Sequence, residues 1–264
     1  MGGDNSPDAT LNGAYLATKE LKKNEKIVLV GDENIAKSWL LTNNIDSSVF
    51  EFIHADEVIT MNEHATKALR KKPNNSISIG FKALKDKEID VFSSAGNSGA
   101  MLVGSMFSIG PIKGVVRPSI TSVLPKKNGG VGLILDVGVN ADCKPDVLFQ
   151  FAILGSLFAE NVYNIKNPKV GLLNIGEERG KGNLLTQATY RLLEDNDDIN
   201  FIGNIEGRDL FNDKADVVVC DGFTGNVVLK LAESFYTLID QKKLYDTYFD
   251  RFNYEIYGGT PVLG

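Results

Sequence analysis

Four times in this chain an apolar run leads into a loop of glycine and asparagine and then into a helical segment, and this repeat constrains the fold more than any other feature. In the clearest copy, Val217–Val219 runs into residues 221–226. That run has no polar alternation, which predicts a strand buried on both faces, as in a parallel sheet. The loop then offers backbone N–H groups and a capping side chain at a helix start, where a phosphate could bind.

The other three copies have predicted strands at residues 90–95, 133–137 and 170–175, and loops at residues 96–99, 138–145 and 176–183. Helices are predicted to follow the four loops from about Ser98, Asp146, Leu184 and Gly225. In an open parallel sheet, such loops lie at the carboxyl ends of the strands, where ligands bind. We therefore expect the four loops to line one cleft.

Strands alternate with helices at the spacing of βαβ units between about residues 90 and 202, which predicts an α/β fold with a mainly parallel sheet flanked by helices. Residues 119–124 and 130–135 are compatible with a short antiparallel pair. A chain of 264 residues with 43% hydrophobic content suits one large α/β domain or two closely packed lobes. From the bare loop at residues 1–7 and the Gly-Gly turn near the end, we expect an N-terminal strand and a C-terminal strand and helix to be missing.

The charge balance argues against nucleic acid as a partner. The chain has 28 basic and 34 acidic residues and a net charge of −6, whereas binding to a phosphate backbone needs a basic surface. One local exception is the basic run of Lys67, Arg70, Lys71 and Lys72. This run is either a solvated helix face or a docking patch for an acidic partner.

Cysteine usage and hydropathy indicate the compartment. Cys143 and Cys220 form neither a CxxC pair nor a disulfide framework, which is typical of the reducing cytoplasm. No signal peptide and no apolar run near 18 residues is present, although peripheral membrane attachment stays open. Residues 235–254 are rich in aromatic side chains, which favours core or dimer contacts over a lipid- or acyl-facing surface.

Several kinds of catalytic site are excluded by residue counts and spacing. With only His54 and His64 and no G-x-S-x-G motif, a hydrolase triad or a zinc site is not expected. Residues 176–182 approach a P-loop, but the spacing is one residue short and Gly182 stands where a magnesium-binding Ser or Thr belongs. A dinucleotide fingerprint fails because residues 129–132 precede a strand. What remains is a site for small oxyanions, with Lys181 as its cation or as a solvated loop charge.

Several motifs together resemble the phosphate acyltransferase family PlsX over essentially the whole chain. They are residues 1–5, 54–59, 94–100, 135–145, 171–176, 181–183, 201–209, 221–226 and 257–259. The resemblance implies a single PlsX-like α/β domain over residues 1–264, with a fold like that of isocitrate dehydrogenase and phosphate acetyltransferase. It implies acyl transfer from acyl-[acyl-carrier-protein] to inorganic phosphate, which gives acyl phosphate for phospholipid synthesis.

The same resemblance implies the partners of the protein. These are acyl carrier protein, inorganic phosphate, a second copy in a homodimer, and a downstream glycerol-3-phosphate acyltransferase. It implies no cofactor and no metal, and it is compatible with a cytoplasmic protein that makes peripheral membrane contact. The acidic carrier protein is expected to dock on Lys67, Arg70, Lys71 and Lys72.

Our hypothesis for the active site follows from the loops and the resemblance together. The predicted phosphate-binding residues are Ser94, Gly96, Asn97, Ser98, Gly222, Thr224, Gly225 and Asn226. The predicted catalytic residues are Lys181, Asn97 and Asn226, with Lys181 stabilising the oxyanion that forms when phosphate attacks the thioester. No protein base is expected, because phosphate is already largely dianionic near neutral pH. His54 could still position phosphate or orient a loop.

Two alternatives remain at this point. One is a phosphate acetyltransferase or decarboxylating dehydrogenase of related fold, which would need a coenzyme A or nicotinamide site that the motifs do not provide. The other is a non-catalytic protein that senses acyl chains or acyl carrier protein. Phosphate-dependent release of the carrier thiol would separate both from the acyltransferase.

Overall fold

A computed structural model describes residues 2–3, 5–241 and 262–263. The chain divides into two compact units, Met1–Pro111 and Ile112–Gly264. The predictions made for the motif at residues 257–259 and for the aromatic residues beyond 241 lie outside the described residues. Within the described part, no helix is long and apolar enough to cross a membrane.

The first unit contains a parallel pair of strands, β1 (Val28–Gly31) and β2 (Glu51–His54). Its helices are α1 (Asp8–Thr18), α2 (Glu33–Thr42), α3 (Ala65–Lys71), α4 (Ser76–Lys85) and α5 (Ser98–Ser108), with a 3₁₀ turn at Ser47–Val49. Side chains fix two of the helix starts: Asp32 accepts bonds at the start of α2, and Asn75 accepts the N–H of Ser78 at the start of α4.

A small core holds α3, α4 and α5 together. Its buried members include Ala68 of α3, Ile77 and Phe81 of α4 and Ala100 of α5. Fully burying side chains of the size of Ile and Phe stabilises a fold by about 1.5–3 kcal/mol each. The N-terminus of α5 is therefore anchored to two neighbouring helices.

The prediction of a strand at residues 90–95 is wrong. This segment has no β-ladder, and Val91 is 78% exposed. Phe92 instead packs its ring edge-to-face against Phe81, with 5.1 Å between ring centroids. Phe92 thus contacts α4 through its side chain, and the segment is not part of a sheet.

The second unit is built on a six-stranded sheet of order β6-β5-β7-β4-β3-β8. The strands are β3 (Ser119–Pro125), β4 (Val131–Leu135), β5 (Val170–Leu173), β6 (Phe201–Ile205), β7 (Val217–Val219) and β8 (Val262–Leu263). Strands β4 to β7 pair in parallel, whereas β3 pairs antiparallel with β4 and with β8. The mainly parallel sheet and the antiparallel pair are both confirmed.

Three helices accompany this sheet: α6 (Pro145–Tyr163), α7 (Leu184–Glu194) and α8 (Gly222–Gln241), with a 3₁₀ turn at Gly207–Asp209. Strand β7 shows how the sheet is covered. Val217 and Val219 belong to a core cluster that includes Phe151 of α6, while Val218 belongs to a second cluster against which Val228 of α8 packs. Alternate residues of this strand therefore enter different cores, which confirms that it is buried on both faces.

Candidate active site

Three of the four Gly/Asn loops lie side by side at one edge of the second unit. Strands β5, β7 and β4 are consecutive neighbours in the sheet and run parallel. The loops that leave their carboxyl ends are residues 174–183, 220–221 and 136–144. The fourth loop, before α5, follows no strand and belongs to the first unit.

The loop after β7 is shorter than predicted, because α8 begins at Gly222 and not at about Gly225. The carboxylate of Asp221 accepts the backbone N–H of Thr224 at 2.9 Å and its hydroxyl at 3.0 Å, as an N-cap residue does. Thr224, Gly225 and Asn226 therefore stand inside the helix. The predicted capping side chain at this helix start is confirmed.

The start of α8 is pressed against the end of β4. A Cβ on Gly225 would lie 1.9 Å from the backbone oxygen of Asp136, so no side chain fits there. Gly222 donates its N–H to the carbonyl of Asn140 at 2.8 Å, and the Asn226 amide lies 3.4 Å from the carbonyl of Val137. Two of the predicted phosphate-binding glycines thus serve this close approach.

Asp136 organises the loop after β4, a role that the sequence did not single out. Its carboxylate is fully buried and accepts the N–H of Ile120 at 3.0 Å, the N–H of Asn140 at 2.6 Å and the amide of Asn140 at 2.8 Å. Its position directly after an apolar run, within the motif at residues 135–145, was the available signal. Each carboxylate oxygen is bonded, as a buried charge requires.

Hydrogen bonds already occupy part of the donor set at the start of α8. The N–H groups of Gly222 and Thr224 are bonded, as described above. The N–H of Phe223 finds no acceptor within the described part of the chain. The positive end of the helix dipole points at this loop, but Asp221 already places a negative charge there.

The loop before α5 has a different donor set. Asn97 is 8% exposed; its Oδ1 accepts the N–H of Ala100 at 3.0 Å. Its Nδ2 lies 3.0–3.2 Å from the carbonyls of Thr60, Met61 and Glu63. Asn97 therefore caps the helix and ties it to residues 60–63, and its polar atoms are all engaged.

The exposed donors of this loop belong to the two residues after Asn97. Ser98 and Gly99 are exposed, and their N–H groups have no acceptor among the described residues. Ser94 accepts the N–H of Gly96 at 3.1 Å through its hydroxyl. The first turn of α5 can thus present two backbone donors to an anion.

Lys181 stands in the loop after β5, in the same unit as α8. Its side chain is half exposed, and its Nζ lies 3.9 Å from a carboxylate oxygen of Glu178. An exposed pair at this distance contributes little, because water screens it. The ammonium group can therefore turn toward an anionic ligand.

The basic run on α3 is not uniform. Lys67, Arg70 and Lys71 are exposed. Lys72 instead donates to the carboxylate of Glu63 and to the carbonyl of Val58, both at 2.7 Å. The hydrogen bond from Lys72 holds the pKa of Glu63 below its usual value. Lys72 is thus part of the support for residues 58–63.

Neither cysteine is suited to act as a nucleophile. Burial, aided by the negative charges of Asp136 and Asp221, raises the pKa of the Cys143 thiol to about 12. Burial also raises the pKa of Cys220 well above its ordinary value. Both thiols stay protonated near neutral pH, where a nucleophilic cysteine needs its thiolate.

Comparison with solved structures places the fold in the phosphotransacylase class. A branched-chain phosphotransacylase from Enterococcus faecalis matches 89% of this chain and 82% of its own with a TM-score of 0.62 and 16% sequence identity. A phosphotransacetylase from Staphylococcus aureus matches 88% of this chain and 80% of its own, with a TM-score of 0.61 and 15% identity. At these identities the likeness concerns the fold alone, and it confirms the predicted fold class.

Sequence comparison defines the family within that class. The sequence model of the fatty acid synthesis protein family matches residues 1–241. The phosphate acyltransferase of Dictyoglomus turgidum is 42% identical over 100% of this chain and 84% of its own length. That of Acetivibrio thermocellus is 49% identical over 90% of this chain and 71% of its own. The chain belongs to this family, the PlsX phosphate acyltransferases, and is therefore an acyltransferase.

Proposed function

We propose that the enzyme transfers an acyl group from the thioester of acyl carrier protein to inorganic phosphate, which yields acyl phosphate and the free carrier thiol. The observation that carries this proposal is the row of three loops after β5, β7 and β4, in a chain whose relatives are named phosphate acyltransferase. The acyl phosphate would then acylate glycerol 3-phosphate, through a downstream acyltransferase of phospholipid synthesis.

The reaction needs no covalent enzyme intermediate. A phosphate oxygen attacks the thioester carbonyl carbon, the new C–O bond gives a tetrahedral oxyanion, and the C–S bond then breaks. The sulfur leaves with the bonding pair and takes a proton from solvent. The raised pKa values of Cys143 and Cys220 support this direct route, because neither thiol is available for a ping-pong mechanism.

Lys181 is the group that we propose for stabilising the oxyanion. Its ammonium is half exposed and weakly paired, and it belongs to the loop beside the start of α8 in strand order. One well-placed donor to an oxyanion is worth about 2.7–4 kcal/mol, and holding two reactants in register can supply about 7–11 kcal/mol. Together these terms are large enough for acyl transfer without a base.

Phosphate binding is proposed for both helix starts, with different roles for their residues. At α5, the N–H groups of Ser98 and Gly99 are the donors, while Ser94, Gly96 and Asn97 shape the loop. At α8, the direct contacts are proposed for Asn226 and the N–H of Phe223, which the close packing leaves half-buried or exposed. Thr224 supports the helix start, because its N–H and hydroxyl are already donated to Asp221. Gly222 and Gly225 allow the start of α8 to approach the backbone of the loop after β4.

Carrier docking is proposed for the exposed part of the basic run on α3. The carrier protein is acidic, and Lys67, Arg70 and Lys71 present three positive charges with no acidic partner within the described residues. Charges of this kind accelerate encounter more than they strengthen the final complex. Lys72 contributes indirectly, through its bond to Glu63.

A homodimer is proposed for the exposed apolar stripe of α8. The stripe consists of Phe223, Val227, Leu231, Phe235 and Leu238. These residues recur every three or four positions, so they share one helix face. An exposed apolar patch of this kind marks a protein or lipid contact.

Light scattering tests the homodimer. The variant Leu231→Glu should be a monomer under conditions in which the parent chain is a dimer. Vesicle flotation of both proteins tests the alternative that the stripe contacts lipid.

Phosphate-dependent release of carrier thiol tests the proposed function. Acyl-[acyl-carrier-protein] is mixed with enzyme, and the free carrier thiol is measured with a chromogenic reagent as phosphate is varied. We expect release to saturate with phosphate and to require the carrier-linked substrate. Equal rates with acetyl-coenzyme A would favour a phosphate acetyltransferase, and binding without release would favour a regulator.

A further inference from the structure

The loop that carries Lys181 is held by three side-chain amides. Residues 178–181 form a turn in which the N–H of Lys181 donates to the carbonyl of Glu178 at 3.0 Å. Asn174, Asn204 and Gln187, which we call the amide clamp, donate to four carbonyls in and beside this turn. Carbonyls of a surface loop are ordinarily satisfied by water, so this set of protein donors is more than the backbone requires.

Two members of the amide clamp are linked to each other. Asn204, in β6, is 3% exposed; its Nδ2 donates to the carbonyl of Glu178 at 2.9 Å, and its Oδ1 accepts from Asn174 at 3.0 Å. Asn174, at the end of β5, also donates to the carbonyl of Lys181 at 3.1 Å. Side chains from the ends of β5 and β6 thus bond to both ends of the turn.

The third member comes from helix α7. Gln187 donates through Nε2 to the carbonyls of Gly180 at 3.0 Å and Gly182 at 3.1 Å. Gly182 has φ +90°, and a Cβ there would lie 2.1 Å from the hydroxyl oxygen of Thr186 and 2.3 Å from Oδ1 of Asn174. The loop is therefore packed onto the amide clamp as closely as a glycine allows.

We propose that Asn174, Asn204 and Gln187 are positioning residues that place Lys181 for catalysis; this inference rests on the proposed role of Lys181. The ammonium group has only a weak, screened contact of its own. The position of its side chain therefore depends on the backbone turn beneath it. A displacement of about 1 Å in a group that faces the reacting atoms can lower a rate by about 100-fold.

A double-mutant cycle with Asn204→Ala and Lys181→Ala tests the proposal through thiol release. We expect Asn204→Ala to lower kcat by about ten-fold and to leave the KM for phosphate within about two-fold, because the lost interaction is made in the transition state. In the Lys181→Ala background the same change should lower kcat by less than about two-fold. The matched control is Asn200→Ala, which removes an amide that donates to Asn167 at the other end of the same strand pair.

The outcomes separate the inference from the proposed function. If Lys181→Ala lowers kcat but Asn204→Ala lowers it by the same factor with and without Lys181, the amide clamp does not act through Lys181 and the inference is wrong. If Lys181→Ala leaves kcat unchanged, the proposed role of Lys181 fails and the inference falls with it.

Thermal unfolding of each variant is measured together with the kinetics. Should Asn204→Ala not fold, Gln187→Ala, on the half-buried face of α7, takes its place in the cycle.

Discussion

The starts of α5 and α8 read almost alike in the sequence, yet the structure builds them differently. Both have glycine and a polar capping residue before an apolar helix. At α8 the preceding residues form the buried strand β7, and Gly225 is packed against the backbone of Asp136. At α5 no strand precedes, and the anchor is the side chain of Asn97, which holds the carbonyls of residues 60–63.

The difference shows that a helix start with glycine has two separate uses. At α8, glycine permits close packing, and the neighbouring backbone takes up the N–H of Gly222. At α5, Ser98 and Gly99 remain exposed, with their N–H groups available to an anion. Which use applies is decided by the tertiary neighbours and not by the loop residues themselves.

The largest expected effect is that of a methyl group at Gly225. Gly225→Ala places a carbon 1.9 Å from the Asp136 oxygen, so α8 must move away from β4. We expect a loss of about 3 kcal/mol or more in the free energy of unfolding, the upper end for overpacking. Gly99→Ala, whose new Cβ would meet its nearest atoms at 3.3 Å, should cost less than about 1 kcal/mol. Urea unfolding measures both, and equal losses would contradict the contrast between the two helix starts.

Local pattern was sufficient for the elements whose partners are apolar surfaces. The uninterrupted run Val217–Val219 and the antiparallel pair β3 and β4 follow from burial and alternation, and both are present. Residues 90–95 contain only a short apolar stretch and form no ladder, because a strand needs a neighbour that local sequence does not specify.

The sequence predicted where the loops of the site lie, but it did not predict the hydrogen-bond partners of their side chains. Loops rich in glycine and asparagine after buried strands are recognisable from the sequence. However, Asn97 finds its carbonyls 34–37 residues away, and Asn174 finds Asn204 30 residues away. Pairings at this separation depend on the fold, so the sequence could mark Asn97 as a site residue but not show that its polar atoms are engaged.

Next in size is the contrast between the two asparagines. Asn97→Ala removes a helix cap and leaves three carbonyls without their donor, so we expect a loss of about 1–3 kcal/mol in unfolding free energy. Asn226→Ala removes a single 3.4 Å contact and should cost less than about 0.5 kcal/mol. In phosphate saturation curves we expect Asn226→Ala to raise KM at nearly unchanged stability. A stable Asn97→Ala variant with a raised phosphate KM would instead make Asn97 a direct ligand.

A smaller effect should divide the basic run on α3 into two functions. Lys71→Glu reverses an exposed charge and should lower kcat/KM for the acyl carrier several-fold, with a weaker salt dependence and unchanged stability. Lys72→Ala removes the bond to Glu63 near the loop that Asn97 holds, so its main effect should be a modest loss of stability. Carrier kinetics against salt concentration, together with thermal unfolding, measure both. Identical behaviour of the two variants would assign the whole run to one role.

The smallest expected effect is the pH dependence that Glu63 gives to the support of α5. Hydrogen bonds from Lys72 and from the N–H of Thr60 lower the pKa of this carboxyl in the folded chain. The unfolded chain therefore binds more protons in acid, and the stabilisation is complete above the ordinary glutamate pKa of about 4.3. It disappears as the pH falls through the lower, folded-state pKa.

Glu63→Gln isolates this contribution, because glutamine keeps the size of the side chain and cannot be charged. We expect the parent chain to be more stable than Glu63→Gln at pH 7, and the difference to shrink as the pH is lowered below about 4. Urea unfolding of both proteins between pH 7 and pH 3.5 measures it, with Glu51→Gln as a control at an exposed pair with Lys26. A difference that stays constant over this range would mean that the charge of Glu63 does not stabilise residues 58–63, and that Asn97 is the main polar anchor of α5.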